Sequence, residues 1–334
     1  MSTRTPIDRR RVLAGLCATA MSAPVAARAG TTAAWRPSGA VRMVVPFSAG
    51  GITDIIARLL AIYMQQKWSQ PIVVENRTGA GGVLGSLDVV KAAPDGLTLL
   101  LGSTGPQSVA YSLFRNLKYR PSDLTPISNI ITGSNIVMMN NAVPAGSVPE
   151  FIAWAKANSG RLTYASAGIG SMTHLSTLWL FNLLGVQATH VPYRGSAPAV
   201  TDLMAGIIPM FADNLSNGIE FVRARKVKGI AVTSAAANPY CNLPPLKGAV
   251  PELDRYVVDT FYGVFGPARM PPEVVEEINL TVGEFLSQDA ARKNLEVWAA
   301  TPAWAPPAQT LAYVDADIKK WKEVIEAEGL KLDY

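Results

Sequence analysis

From residue 41 onward, short apolar runs rich in β-branched residues alternate with stretches whose apolar positions recur at i, i+3 and i+4. That alternation predicts strand followed by helix, repeated along the chain. The first unit sets the pattern. Val41, Met43, Val44 and Val45 read as a strand, and Pro46 stops it, because proline cannot donate to a ladder hydrogen bond. Gly50-Gly51 permits a backbone path that side chains would block. Thr53 or Asp54 then caps a helix carrying Ile55, Ile56, Leu59, Leu60 and Tyr63 on one face. Further strands are predicted over 71–76, 97–102, 135–140, 162–165, 188–191, 207–212, 229–233 and 259–265. Helices are predicted over 86–93, 148–157, 173–184 and 199–205, from Pro271-Pro272 onward, and over 307–328, the last ended by Gly329.

Such alternation implies an α/β fold with a parallel sheet covered on both faces, and any ligand at the carboxyl ends of its strands. Polar turns follow the first three strands at that edge. The stretch from 148 repeats this logic without repeating the sequence. Chain crossings near 135 and 260 divide the molecule into two α/β domains, 36–134 plus 260–334 and 135–259, with a cleft between them; the C-terminal helices return to the first. Pro209 lies inside a strand pattern, which predicts an edge or a bulge.

The N-terminus alters what the charge means. Arg9-Arg10-Arg11-Val12-Leu13 is a twin-arginine start, an Ala-rich apolar stretch follows, and Ala27-Arg28-Ala29 is an A-x-A cleavage site. Residues 1–29 therefore read as a signal peptide, and the mature protein is expected in the bacterial periplasm. The whole chain holds 30 Lys+Arg and 25 Asp+Glu, but five arginines and one aspartate lie in residues 1–29, leaving a net charge of +1. No basic surface for nucleic acid is implied. Cys241 is the one cysteine left after cleavage, so no intrachain disulfide forms, and the remaining length is ample for a core of more than one domain.

The turn after the first strand has the architecture of an anion site. Free N–H groups and the positive end of a helix dipole meet there. Gly50, Gly51 and the Thr53 hydroxyl are placed to surround a carboxylate, whereas Asp54 would repel one and is assigned to capping. Gly79-x-Gly81-Gly82-x-x-Gly85 lacks the spacing of a dinucleotide fingerprint, so close backbone approach explains its glycines better. Ser171 and His174 share a helix face and, with Asp213, invite a hydrolase reading; no G-x-S-x-G elbow accompanies them. His174 is either a support behind the 166–171 turn or a satisfied core histidine. Asp213 either accepts a bond from a ligand amine or hydroxyl, or ties two loops together. Arg194 reads as a solvated surface residue. Two histidines and one unpartnered cysteine argue against a zinc site, and no cofactor is expected.

PFSAGGITD, then VVENRTGAGGVLG, KAAPDGLTLLLGS, YASAGIGSMTHLS, HVPYRGSAPAVTDLMAG and WKEVIEAEGLKLD occur in this order along essentially the whole mature chain. Together they resemble the Bug/TctC-type extracytoplasmic solute receptors. The resemblance implies a type II periplasmic-binding-protein fold, two α/β domains joined by two hinge strands. It also implies carriage of a small carboxylate to a tripartite tricarboxylate transporter in the inner membrane, without catalysis, by a monomer. The ligand-binding set expected on this basis is Phe47, Ser48, Ala49, Gly50, Gly51, Thr53, Ser103, Ser166, Ala167, Gly168, Ser171, His174, Tyr193, Gly195 and Asp213. Departures from the family's pattern are Ser48-Ala49 where Ala-Pro is common, Leu178 where Glu is common, and Ala212 where Phe is common; they bear on which acid is bound. The rival classes are a secreted hydrolase using Ser171 and His174, and a ligand sensor for a membrane kinase.

Overall fold

The computed structural model describes residues 1–2, 35–238 and 240–333. Apart from Met1 and Ser2, the expected signal segment lies outside the described residues.

β1 (Val41–Val45) has four of its five side chains buried, as an apolar strand covered on both faces requires. It leads through the Gly50-Gly51 turn into α1 (Ile52–Trp68). β2 (Ile72–Asn76), α2 (Val83–Val90) and β3 (Thr98–Ser103) follow, and β1 lies between β2 and β3 with all three parallel. A π-helical turn, Gly105–Val109, and the short α3 (Ala110–Leu113) lead to β4, which runs 16 residues from Leu124 to Met139. Next come α4 (Val148–Ala157), β5 (Leu162–Ser166), α5 (Met172–Leu184), β6 (Ala188–Pro192), α6 (Ser196–Met204), β7 (Met210–Asn214), α7 (Leu215–Arg223) and β8 (Lys228–Val232). β9 (Asp259–Pro267) then precedes α8 (Pro272–Ser287), α9 (Asp289–Val297), the two-residue β10 (Thr301–Pro302) and α10 (Pro307–Ala327).

The strands form one sheet in the order β2-β1-β3-β9-β4-β7-β5-β6, with β8 and β10 also on β4. The sheet is mixed, not wholly parallel. Its outer trios are parallel, but β9 runs against β3 and β4, and β4 runs against β7 and β8. The reason lies in the chain path. β4 carries the chain out of the first trio and β9 brings it back, so each opposes its neighbours. The first two-thirds of β4 pair with β9; the last part, from Asn135, pairs with β7 and β8.

Two apolar clusters sit on the two parts of this sheet. Val41, Met43, Ile56, Leu60, Leu99, Ile278 and Val282 join β1, β3, α1 and α8. Phe151, Tyr164, Leu175, Trp179 and Leu180 join α4, β5 and α5, and Trp321 and Ile325 of α10 pack into the same cluster. The Trp179 and Trp321 rings meet edge-on with centroids 5.9 Å apart. Val314 of α10 packs instead with Phe261 and Phe265. So α8 and α9 return to the β1 side, while α10 is shared.

Several sequence expectations shift. α1 is capped by Gly51 with no side-chain bond, not by Thr53 or Asp54. Asp54 reaches back to accept the Gly50 N–H at 3.0 Å, and it also accepts from Arg58 and Asn76. Burial pushes its carboxyl up, but those bonds outweigh burial and hold it below the usual range. α2 begins three residues before the expected 86, directly after Gly82. Pro209 lies just outside β7, an interior strand, so it marks neither an edge nor a bulge. No helix among the described residues is long and apolar enough to cross a membrane.

Candidate functional site

Between the two parts of the sheet lies a small, partly open cavity of about 30 Å³. Phe47, Ser48, Gly51, Ile52, Thr53, Ser103, Thr260 and Tyr262 line it from the β1, β3 and β9 side. Ala167, Ser171, Met172, Thr173, Ser196, Asn214 and Asn217 line it from the other. Local chemistry explains this convergence. Strands end in glycine and serine turns, and each turn opens a helix, so the N-termini of α1, α5, α6 and α7 all arrive here. Four positive dipole ends make the cavity attractive to an anion, although neither Lys nor Arg lines it.

The walls are joined directly. The Ser48 N–H donates to the Arg194 carbonyl (3.2 Å), and the Ile52 N–H donates to Asn217 Oδ1 (2.5 Å). Near the cavity, backbone approach replaces side chains. A Cβ on Gly81 would collide with the Ile169 carbonyl and stand 2.7 Å from the Ser171 nitrogen. One on Gly195, at φ +150°, would collide with Ser48 Oγ. The glycines of 79–85 thus serve close packing, as their spacing suggested.

The 166–171 turn is held by its own network. Ser171 Oγ donates to the Gly168 carbonyl (2.7 Å) and accepts the His174 N–H, capping α5. The Ala167 N–H donates to Thr173 Oγ1 (2.8 Å), and Ser166 Oγ bonds His190 Nε2 (2.6 Å). His174 Nδ1 accepts the Gly170 N–H (3.1 Å), and its ring stacks on His190 with centroids 3.8 Å apart. Burial, then the neighbouring His190, lowers His174 to about 3, and burial lowers His190 to about 4, so both rings are neutral supports. The Ser171 hydroxyl gives its proton to a carbonyl, not to His174. No nucleophile–base pair exists between them.

Asp213, at the end of β7, is 0% exposed. Its Oδ1 accepts from Ser196 Oγ (2.7 Å), the Asn214 N–H (2.8 Å) and Asn217 Nδ2 (3.3 Å). Its Oδ2 has no partner among the described residues. Buried and without a partner as well are Ser48 Oγ, Asn214 Oδ1, Thr260 Oγ1 and the Tyr262 hydroxyl, all on cavity-lining residues. Burial lifts Asp213 to about 6 despite those bonds. Burial, then the charge of Asp213, pushes Tyr262 well above the usual phenol range.

The structure thus brings Phe47, Ser48, Gly51, Thr53, Ser103, Ala167 and Ser171 to the cavity wall. Ala49, Gly50, Ser166, His174, Gly195 and Asp213 are not among its lining residues, though Asp213 is hydrogen-bonded to three that are, Ser196, Asn214 and Asn217. Gly168 and Tyr193 line an adjoining cavity of about 220 Å³, and the Tyr193 hydroxyl turns away to Asp202 (2.7 Å). Sequence reasoning gave no role to Ile52, Met172, Thr173, Asn214, Asn217, Thr260 or Tyr262, whereas Ser196 belongs to the 193–196 turn expected to offer cleft backbone donors. Thr260 and Tyr262 carried one signal, two hydroxyls at i and i+2 on an otherwise apolar strand, which puts both on one face.

Residues 56–330 match the model of a family described as tripartite tricarboxylate transporter family receptor. The chain is 33% identical over 299 residues to the protein BugT of Bordetella pertussis, covering 89% of this chain and 91% of that one. Among solved structures, it is similar to Rpa4515 of R. palustris with adipate: TM-score 0.84, 32% identity, covering 89% of this chain and 99% of that one. It is also similar to MatC from Rhodopseudomonas palustris with bound malate, at TM-score 0.82 and 32% identity, covering 86% and 99%.

Proposed function

The chain belongs to the tripartite tricarboxylate transporter receptor family, the Bug/TctC-type extracytoplasmic solute receptors with a type II periplasmic-binding-protein fold, and on that premise we propose that it captures a small carboxylate in the cavity and delivers it to inner-membrane transporter subunits. Its family and its structural neighbours are binding proteins of transport systems, not enzymes. The observation that carries the carboxylate reading is the meeting of four helix N-termini on a cavity lined by unpartnered hydroxyls and by no Lys or Arg. Adipate and malate in the two neighbours support it.

In this reading the lobes 36–134 plus 260–334 and 135–259 part to admit the solute and close over it, with β4 and β9 as the crossings. The Ser48–Arg194 and Ile52–Asn217 bonds latch the closed form. Phe47 and Met172 cover the apolar body of the solute, while Gly51, Thr53, Ser103, Ala167 and Ser171 surround its carboxylate. The protein works as a monomer in the periplasm after removal of residues 1–29.

A melting screen tests this. Ligand binding to the native state alone adds RT ln(1 + [L]/Kd), about 2.7 kcal/mol at a hundredfold excess over Kd. Short mono-, di- and tricarboxylates are expected to include at least one that raises the melting temperature by several degrees. A neutral sugar that does so, with no acid doing the same, sinks the reading.

A further inference from the structure

The cavity treats its two kinds of polar group differently. The helix N-termini present donors, which suit a carboxylate. The wall around Asp213 presents acceptors. Oδ1 of Asp213 is saturated by Ser196, Asn214 and Asn217, each of which lines the cavity. Oδ2 and the Asn214 side-chain oxygen are buried and unpartnered. Among the described residues, no cation stands near enough to Asp213 to influence its charge.

We infer that the solute carries, beside its carboxylate, a hydrogen-bond-donating substituent, a hydroxyl or an ammonium, which the free oxygen of Asp213 and the side-chain oxygen of Asn214 accept. This rests on the carboxylate reading above and narrows it to hydroxy or amino acids. The physical argument has two sides. A buried acceptor left without a donor loses its hydration with nothing in return, and a charged one loses more. A second ligand carboxylate pressed on the same oxygen would set two like charges together in a site of low polarity. An acid without the donor is therefore penalised by the wall itself, and one with it is rewarded there. Asp213, with its carboxyl near 6, is ionised at neutral pH and can only accept. The titratable group facing it is Tyr262 of β9, kept neutral by burial and by that same charge. Ser196 of α6 and Asn217 of α7 do not titrate.

Isothermal titration calorimetry on the purified mature protein tests this with matched acids: succinate, malate and aspartate, then glutarate, 2-hydroxyglutarate and glutamate. At neutral pH, the hydroxy or the amino member of one series is expected to bind at least about tenfold tighter than its plain partner. Which member wins tells hydroxyl from ammonium. The advantage should vanish in Asp213→Asn and shrink near about pH 5, where Asp213 takes up a proton. A plain acid binding as tightly as its substituted partners overturns this inference and leaves the carboxylate reading standing. So does an affinity that rises as the pH falls, which would make Asp213 a donor to a carboxylate. If Asp213→Asn does not fold, the wild-type series decides alone. Should no acid of either series bind, the carboxylate reading falls and this inference falls with it.

Discussion

Asp213 is held where a carboxylate is least comfortable, wholly buried and away from any described cation, with three donors crowded onto one oxygen. Its pKa of about 6 in the folded chain stands above the ~3.9 of an unfolded aspartate, so the native state binds its proton more tightly. The associated stability is complete below about pH 4 and is lost as the pH rises through about 6. Keeping this carboxylate buried and ionised costs the ligand-free protein about 3 kcal/mol at neutral pH. Asp213→Asn should therefore raise the melting temperature of the ligand-free protein by several degrees at neutral pH and leave it unchanged near about pH 4. Calorimetry at the two pH values checks this; an equal gain at both would mean that burial of the charge is not the cause. A residue that weakens the empty protein yet is held by three cavity-lining residues fits the proposed role of a group awaiting its partner. Ser171 and His174 teach the converse. Their spacing was visible in the sequence, but their chemistry was not. Whether a serine proton goes to a histidine or to the Gly168 carbonyl depends on a turn that only the folded backbone defines.

At the scale of elements, the proposed closure depends on the contacts of the glycine turns. Gly81, at φ +61°, leaves no room for a Cβ against the Ile169 carbonyl and the Ser171 amide of the facing turn. Gly81→Ala should lower solute affinity by about tenfold or more, while the ligand-free protein loses only about 1–2 kcal/mol from the backbone conformation. Small-angle scattering with saturating solute provides the check. Wild type is expected to contract on binding and the variant to contract less; equal contraction would remove this role from Gly81. The element order itself was largely legible, because buried parallel strands are continuous apolar runs and the helices keep their period. Two failures have identifiable causes. The part of β4 from Leu124 to Ser134 was hidden because register shifts near Pro126 and near Asn129 break the alternation that marks a strand. Ile207-Ile208 looked like the start of β7, yet Ile207 is 66% exposed and the strand begins after Pro209. Tertiary pairing with β4 and β5 sets that boundary, and no local pattern reports it.

For the whole molecule, the family blocks carried the fold, whereas the cavity wall drew on residues far apart in sequence. Asn217 meets Ile52 across 165 positions, and Thr260 and Tyr262 arrive on a strand that pairs with β3 only after the chain has left and returned. Such pairings are beyond what spacing can show. The same scale includes where the protein works. Replacing Arg9 and Arg10 by lysine should leave the precursor in the cytoplasm if the twin-arginine route is used. Cell fractionation decides this, and unaltered appearance in the periplasm would reject that route.

In the proposed reading, the grip on the anion comes from the ends of four helices and owes nothing to Lys or Arg. Dipoles of the main chain belong to every sequence that keeps the fold. They cannot be deleted by a point mutation, and they do not titrate. Side chains around them, such as Ser48, Asn214, Thr260 and Tyr262, are then at liberty to drift. A gene duplicate can change its diet without losing its hold on acids, and one architecture can supply a bacterium with many appetites.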